Sequence, residues 1–337
     1  MTLATPRRWY RRDRPPGWLA RAMLEPISRL WAGATARRFV NADSTDPGVP
    51  VICVGNLTLG GAGKTPVVRE LARLLAARGL SVAVLSRGHG GRLVGPVRIE
   101  AARHSHRDVG DEPLMMAVDH PVWVARNRLG GAWAAAGSGA DVVIMDDGHQ
   151  NATVRKSLSL VVVDGETRDG EWPFGGGEVF PLGPMRETLD RGLARADAVI
   201  LLLPADLPRA DLDLLALLAP TPVLIARIDP TPPPPGPQVA FAGIGKPWKM
   251  ERALRAAGCD LAVFISMADH AAPTEASLRR LAVRAEALGA GLLTSEKDWV
   301  RLSEAWRPRV AAWPMRVHFE DEQALDRLID QALRPID

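Results

Sequence analysis

The stretch Gly55–Val68 reads GNLTLGGAGKTPVV and crowds three glycines into Gly60–Gly63, directly before Lys64 and Thr65. Glycines let a backbone curl its N–H groups around an anion, and a lysine behind them reaches terminal phosphates. A following hydroxyl can ligate Mg2+. The general phosphate-loop pattern G-x-x-x-x-G-K-[ST] has a glycine where Thr58 stands, yet Gly63, Lys64 and Thr65 fit it. Thr58, Leu59, Gly60, Gly61, Ala62, Gly63, Lys64 and Thr65 are therefore expected to hold nucleotide phosphates. Pro66 suits the first turn of a following helix, whose dipole and free N–H groups favour an anion.

A bound Mg2+ needs a carboxylate at the end of a neighbouring strand. DVVIMDDGHQ, Asp141–Gln150, runs apolar and then ends in Asp146 and Asp147. Two acids at a sheet edge are costly unless a cation or donors meet them, so Asp146 is expected on the metal with Asp147 as its partner. The alternative is an Asp pair that caps a turn. A phosphoryl transferase also needs a group that accepts the acceptor's proton. Asp111 and Glu112 stand before an apolar helical run, where first-turn acids favoured by the helix dipole are the plainer reading. Asp269 and His270 follow a strand-like run, where a solvated loop pair is the usual explanation. Arg87 and Arg128 follow strand-like runs too, where they could meet phosphate or simply face water.

These residues need a scaffold whose strand ends converge. Apolar runs at Val51–Val54, Val82–Leu85, Val122–Val124, Val142–Met145, Leu160–Val163, Ala198–Leu203 and Val223–Ala226 alternate with helical patterns such as Val67–Arg78. Continuous Val/Ile/Leu runs separated by helices predict a mainly parallel sheet flanked by helices, an α/β phosphate-loop fold. A Pro-rich linker at 229–238 cannot join a central strand. After it, Val239–Ala242, Leu261–Ile265, Gly291–Thr294 and Val310–Ala312 predict a second, smaller α/β domain. The expected organisation is thus 1–41 as a basic amphipathic helix, 42–228 as the nucleotide-binding domain, 229–238 as linker and 239–337 as the smaller domain. The Gly-rich excursion Asp164–Glu187 is too long for an ordinary connection and is expected to be either functional or a surface loop.

The net charge of +3 conceals an asymmetry: residues 1–38 hold nine Arg against Asp13 and Glu25, so the remainder is net acidic. That argues against a nucleic-acid groove. In Pro15–Val40 an apolar helical stripe of Trp18, Leu19, Ala22, Met23, Ile27, Leu30, Trp31 and Ala34 is broken by Pro26, which should kink it or begin a new turn. The stripe either packs on its own domain or lies on an anionic leaflet. No run reaches the roughly 18 apolar residues of a spanning helix, and no signal-peptide core is evident, so the expected site is the cytoplasm. Cys53 and Cys259 lack the spacing of a zinc site.

Together, VGNLTLGGAGKTP, LSRGHGGR, VGDEP, DDGHQ, VFPLGPMRE, FAGIGKP, Asp269–His270 and LLTSEKDWVRL resemble the tetraacyldisaccharide 4'-kinase family, which acts in lipid A biosynthesis. They span roughly residues 18 to 302. The resemblance implies Mg-ATP-dependent phosphorylation of the 4'-hydroxyl of a tetraacyldisaccharide 1-phosphate, giving lipid IV-A at the cytoplasmic face of the inner membrane. It implies Asp111 as catalytic base with His270 as its partner, and Asp146 and Asp147 near metal and phosphates. Glu112, Arg87, Arg128 and Gln150 fall in the implied cleft. The N-terminal helix matches the element that meets membrane and acyl chains, and a monomer is expected. Asn151 and Ala271 stand where relatives carry His, and Trp299 where a small residue is usual. A partition-type ATPase switch would instead place Lys at Leu59, and a GTPase would add Asn to the Lys297–Asp298 element; neither is met.

Overall fold

The computed structural model describes residues 6–40, 42–268 and 272–334. His270 and Asp269 lie outside these described residues. The chain opens with a short helical turn, Arg7–Tyr10, and helix α1, Trp18–Val40. Eight strands follow: β1 Val51–Gly55, β2 Val82–Ser86, β3 Val97–Arg98, β4 Val122–Val124, β5 Val142–Asp146, β6 Leu158–Asp164, β7 Ala198–Pro204 and β8 Val223–Pro230. Helix α2, Lys64–Ala77, joins β1 to β2. Then come β9 Gln238–Ala242, β10 Leu261–Ser266, β11 Gly291–Ser295, β12 Ala311–Trp313 and β13 Met315–Phe319.

The strands form two sheets. The larger has the order β13-β8-β7-β6-β1-β5-β2-β4-β3 and the smaller β10-β9-β11-β12. Only β3 and β13 run antiparallel to their neighbours. Central β1 is wholly buried, as a Val/Ile-rich strand with helices on both faces must be. Helix α2 seats Val67, Val68, Leu71, Ala72 and Leu75 on this sheet in one core with Ile52, Val54, Ile144 and Leu160. In a parallel sheet the loops leaving the carboxyl ends collect on one edge, and ligands bind there. The loops after β1, β2, β4 and β5 carry Gly60–Thr65, Arg87, Arg128 and Asp147 with Gln150 to that edge.

Two expectations need correction. The segment 239–337 is not one contiguous domain. After β12 the chain crosses back, β13 pairs with β8 (Val317 opposite Ile228), and Glu322–Leu333 buries Leu325, Ile329 and Ala332 against the larger core. The alternating MRVHF buries Val317 and Phe319 and turns Arg316 and His318 outward, which suits an edge strand covered on one face. The linker is also shorter than drawn, because β8 continues to Pro230 and β9 begins at Gln238. Second, α1 runs as one helix through Pro26, where the missing N–H removes a single hydrogen bond, to the Ala22 carbonyl.

Of the two orientations left open for α1, the structure has the outward-facing one. The face toward the protein carries Leu24, Ser28, Ala32, Thr35 and Phe39, of which only Ser28 and Thr35 are buried. The predicted apolar stripe points away, with Trp18 76% exposed, Met23 72% and Leu30 74%. Polar contacts fasten the helix to the Gly-rich excursion: Ser28 Oγ donates to the Val179 carbonyl at 2.7 Å and Trp31 Nε1 to that of Arg186 at 3.1 Å. None of the helices among the described residues is long and apolar enough to cross a membrane.

Candidate active site

A cleft of about 1290 Å3 lies where the carboxyl edges of the two sheets face each other. Gly60–Thr65 line its floor, together with Asp111, Glu112, Asp146, Asp147, Arg87, Arg128 and Gln150. The loop passes directly from β1 into α2, so the helix N-terminus opens into the cleft. Gly63 has φ +83°, and a Cβ there would stand 2.2 Å from Leu202 Cδ2, so only glycine fits. The excursion expected to be functional or a surface loop braces the loop from behind. Leu59 N–H donates to the Pro184 carbonyl at 2.8 Å, Arg186 N–H to that of Leu57 at 2.8 Å, and Arg186 Nε to that of Thr58 at 3.0 Å.

The strand-end acids differ sharply. Asp147 adopts φ +53°, rare for a non-glycine residue, and Arg186 Nη1 binds its carboxylate at 2.8 Å while Lys64 Nζ lies 3.5 Å away. Burial alone would raise its pKa, but Arg186 and Lys64 outweigh that and hold it far below the carboxylate range. Asp146 is buried, and burial with the nearby Glu112 charge pushes its pKa up to about 7 against the pull of Lys64. Its Oδ2 accepts from Ser86 Oγ at 3.3 Å, while its buried Oδ1 has no hydrogen-bond partner among the described residues. A buried orphan carboxylate oxygen beside a phosphate loop fits a divalent cation. Among the described residues no cluster of three His, Cys, Asp or Glu residues forms a self-contained metal cage; Mg2+ usually completes its shell with water and phosphate oxygens.

Asp111 and Glu112 begin the helix Asp111–Met116, so the first-turn reading holds as far as position goes. Both also reach across the cleft. Glu112 Oε1 receives Lys297 Nζ at 2.9 Å, and Asp111 Oδ2 pairs with Arg301 Nη2. Burial would raise the Glu112 pKa, but Lys297 and Lys64 hold it low. Arg301 is itself fixed by Asp298 at 2.7 Å, and Asp298 also accepts Ser295 Oγ at 2.7 Å and the Gly243 N–H at 2.9 Å. The smaller sheet thus orients the Asp111 carboxylate. The expected partner His270 lies outside the described residues.

Arg128 is buried, and its Nη1 and Nη2 donate to the carbonyls of Ala125 at 3.0 Å and Asp146 at 3.3 Å. Burial lowers its pKa to about 10, which leaves it charged at neutral pH. Arg87 is exposed on the cleft wall. Gln150 is half-buried in the cleft wall, and its amide donates to the Asn56 carbonyl and to Glu187 Oε1, both at 3.0 Å. Reading individual residues gave no role to Arg186, Lys297 or Arg301, although the segments PLGPMRE and SEKDWVRL that hold them stood out. It also missed Asp164, which meets Lys246 at 2.8 Å and Lys249 at 2.6 Å and ties the two sheets together on the other flank. Pairings between residues 39 to 190 positions apart leave no local signal.

Comparison with known proteins gives one consistent answer. A family model described as LpxK, tetraacyldisaccharide-1-P 4'-kinase, matches residues 20–334. A tetraacyldisaccharide 4'-kinase of Phenylobacterium zucineum is 63% identical over 330 residues, 98% of this chain and 99% of its own. That of Caulobacter vibrioides is 58% identical over 330 residues, 98% of each chain. Among solved structures, LpxK from Aquifex aeolicus in complex with ATP superposes with a TM-score of 0.73 at 25% identity, covering 93% of this chain and 99% of that one.

Proposed function

The chain belongs to the tetraacyldisaccharide-1-phosphate 4'-kinase family, and on that premise we propose how its cleft performs the reaction. The protein transfers the terminal phosphoryl group of ATP to the 4'-hydroxyl of a tetraacyldisaccharide 1-phosphate, forming lipid IV-A. The observation that carries the mechanistic reading is convergence: phosphate loop, strand-end acids and Asp111 line one cleft.

The N–H groups of Gly60–Thr65 hold the phosphates in line with the acceptor. Lys64 shifts its ammonium from Asp147 to the transferring phosphoryl group, where charge develops. Thr65 Oγ1 and Asp146 Oδ1, with Asp147 beside them, would hold Mg2+, which neutralises phosphate charge when bound. Asp111 accepts the proton of the 4'-hydroxyl as its oxygen attacks phosphorus. The bond to the bridging oxygen breaks, and ADP leaves. The Arg301 guanidinium favours the ionised form of Asp111, the form a base needs. Arg87 and Arg128 add positive charge on the wall, and His270 remains a candidate partner for Asp111. The pairs Arg301–Asp111, Lys297–Glu112 and Lys246–Asp164 hold the two sheet edges together across the cleft.

The exposed stripe of α1, flanked by Arg21, Arg29, Arg37 and Arg38, supports peripheral docking on an anionic bilayer. We place that docking on the cytoplasmic face of the inner membrane, where ATP and the acylated acceptor meet. One chain supplies every residue named, so the reading needs only a monomer, which sedimentation at working concentration checks. The deciding experiment follows labelled γ-phosphate from ATP into a disaccharide lipid, with a monosaccharide lipid as control. Labelled disaccharide lipid is expected, and its absence overturns the reading.

A further inference from the structure

Tyr10 is the chain's only tyrosine, and it precedes α1 in a segment that the mechanism above does not use. It is 3% exposed. A buried tyrosine needs a partner for its hydroxyl, and this one donates to the carbonyl of Leu59, inside the phosphate loop. The other side of Leu59 is pinned as well, since its N–H donates to the Pro184 carbonyl at 2.8 Å. A trans peptide is planar, with its C=O and the following N–H pointing in opposite directions. Holding the Leu59 carbonyl toward Tyr10 therefore turns the Gly60 N–H the other way, into the phosphate cradle. Gly60 has φ +87°. Such a residue has no Cβ to resist rotation of the preceding peptide, so the restraint must come from outside it.

The same short turn touches the second sheet's elements. Lys246 Nζ lies 4.2 Å from the Tyr10 ring centroid while it pairs with Asp164 at 2.8 Å. The Arg7 guanidinium stacks 4.6 Å over the Trp248 ring, and Trp248 Nε1 donates to Glu171 at 2.8 Å. The Tyr10 carbonyl accepts the Trp172 N–H at 2.7 Å. Arg7–Tyr10 thus stands where the phosphate loop, the Gly-rich excursion and the smaller lobe meet, a few residues ahead of α1.

We propose that Tyr10 is a positioning residue for nucleotide binding, whose hydroxyl locks the Leu59–Gly60 peptide so that the Gly60 N–H faces the phosphates. Through it, the segment that leads into α1 holds the loop in its binding form. The proposal rests on the nucleotide reading of the loop. Tyr10→Phe keeps the ring and its cation contact and deletes only the hydroxyl. Losing one hydrogen bond that orients one phosphate donor should weaken ATP binding about 3- to 10-fold, in Kd and in KM for ATP. A merely structural hydroxyl would lower the melting temperature and leave both unchanged.

The experiment titrates ATP into the full-length wild type, Tyr10→Phe and Arg14→Ala, an exposed neighbour in the same segment. The wild type is also labelled with fluorotyrosine, whose one resonance reports on Tyr10 alone. Weaker ATP binding in Tyr10→Phe, wild-type binding in Arg14→Ala, and a fluorine resonance that moves with ATP saturation are the results expected. Unchanged ATP affinity in a folded Tyr10→Phe chain, or a resonance indifferent to ATP, overturns the proposal. If Tyr10→Phe does not fold, the fluorine titration decides. Failure of the wild type to bind ATP would instead bring down the nucleotide reading, and this inference with it.

Discussion

Helices α1 and α2 lie on either side of the phosphate loop in sequence and spend their apolar residues in opposite ways. Over 14 residues α2 buries Val67, Val68, Leu71, Ala72 and Leu75 in the main core. Over 23 residues α1 buries only Ser28 and Thr35 and leaves Trp18, Leu19, Met23 and Leu30 in solvent. Helical spacing of apolar residues occurs in both, far more one-sided in α2. Its destination differs because α2 is bounded by β1 and β2, which force it onto the sheet, whereas α1 is tethered by side-chain contacts such as Arg21–Glu178 at 2.7 Å. An apolar face that the fold leaves uncovered marks a surface for another medium.

The widest separation of the two helices should appear in turnover. Lys64→Ala, at the head of α2, should cut kcat by about 10²- to 10³-fold, as loss of one charge-stabilising donor does. Asp111→Asn across the cleft should cut it by about 10²- to 10⁴-fold, with ATP affinity little changed. Single-turnover assays with labelled ATP and a detergent-solubilised acceptor separate the two, because the loss must persist without a membrane. Full activity in Asp111→Asn would remove that residue from the role of base.

Next in size is the core face of α2. Leu71 is fully buried, and Leu71→Ala should lower unfolding free energy by about 2–5 kcal/mol through lost burial and the cavity left behind. Urea midpoints measure it. A loss below about 1 kcal/mol would mean that α2 is not the structural helix it seems from its contacts with Ile52 and Leu160.

Much of this frame was legible in the sequence. Each strand predicted from an apolar run formed, most of them buried on both faces as continuous Val/Ile/Leu runs in a parallel sheet are. The glycine-rich turn between β1 and α2 and the Asp146–Asp147 strand end were legible for a local reason, since the residues of each are adjacent in the chain. Two kinds of feature were not. The edge strands Val97–Arg98 and Met315–Phe319 are short or alternating, and β13 returns to the larger sheet only because β8 lies open there. The ion pairs that orient Asp111 and Asp147, from Arg301 and Arg186, join residues 190 and 39 positions apart. Such pairs become visible only when the sheet edges meet. For α1 the period was legible and its facing was not, since a stripe of given spacing can turn inward or outward.

A smaller effect separates the platforms beneath the two helices. The buried face of α2 holds no titratable group. Under the end of α1, Phe39 stacks 3.9 Å from Arg195, and Lys156 donates to the His149 carbonyl at 3.0 Å. Burial first, then Lys156 and Arg195, lowers the His149 pKa to about 4. The fold therefore prefers neutral His149. Its contribution is complete above the unfolded pKa of about 6.5 and is lost as pH falls toward 4, on the order of 2–3 kcal/mol. Asp146, raised to about 7, works in the opposite direction over the same window, so the informative quantity is a difference. Urea midpoints of His149→Gln should fall less between pH 7 and 4 than those of the wild type. Parallel pH profiles would mean that His149 takes up its proton as readily in the folded chain as in the unfolded one.

The smallest effect on stability, and the sharpest test of the comparison, is on the outer face of α1. Replacing Trp18, Met23 and Leu30 together by Ser should change the unfolding free energy from urea titration by no more than about 0.5 kcal/mol, since exposed side chains away from special features contribute little. The same changes in α2 would unfold the protein. Binding to vesicles containing anionic lipid should nevertheless fall by at least about 100-fold, because each large apolar side chain buried in lipid is worth about 1.5–3 kcal/mol. The arginines beside the stripe remain, at about 1 kcal/mol each near an anionic surface. Residual binding of the triple variant should therefore vanish as salt rises, whereas wild-type binding should retain a salt-resistant part. A large loss of stability would show the stripe packed on protein after all. Unchanged vesicle binding at high salt would show that lipid is held elsewhere.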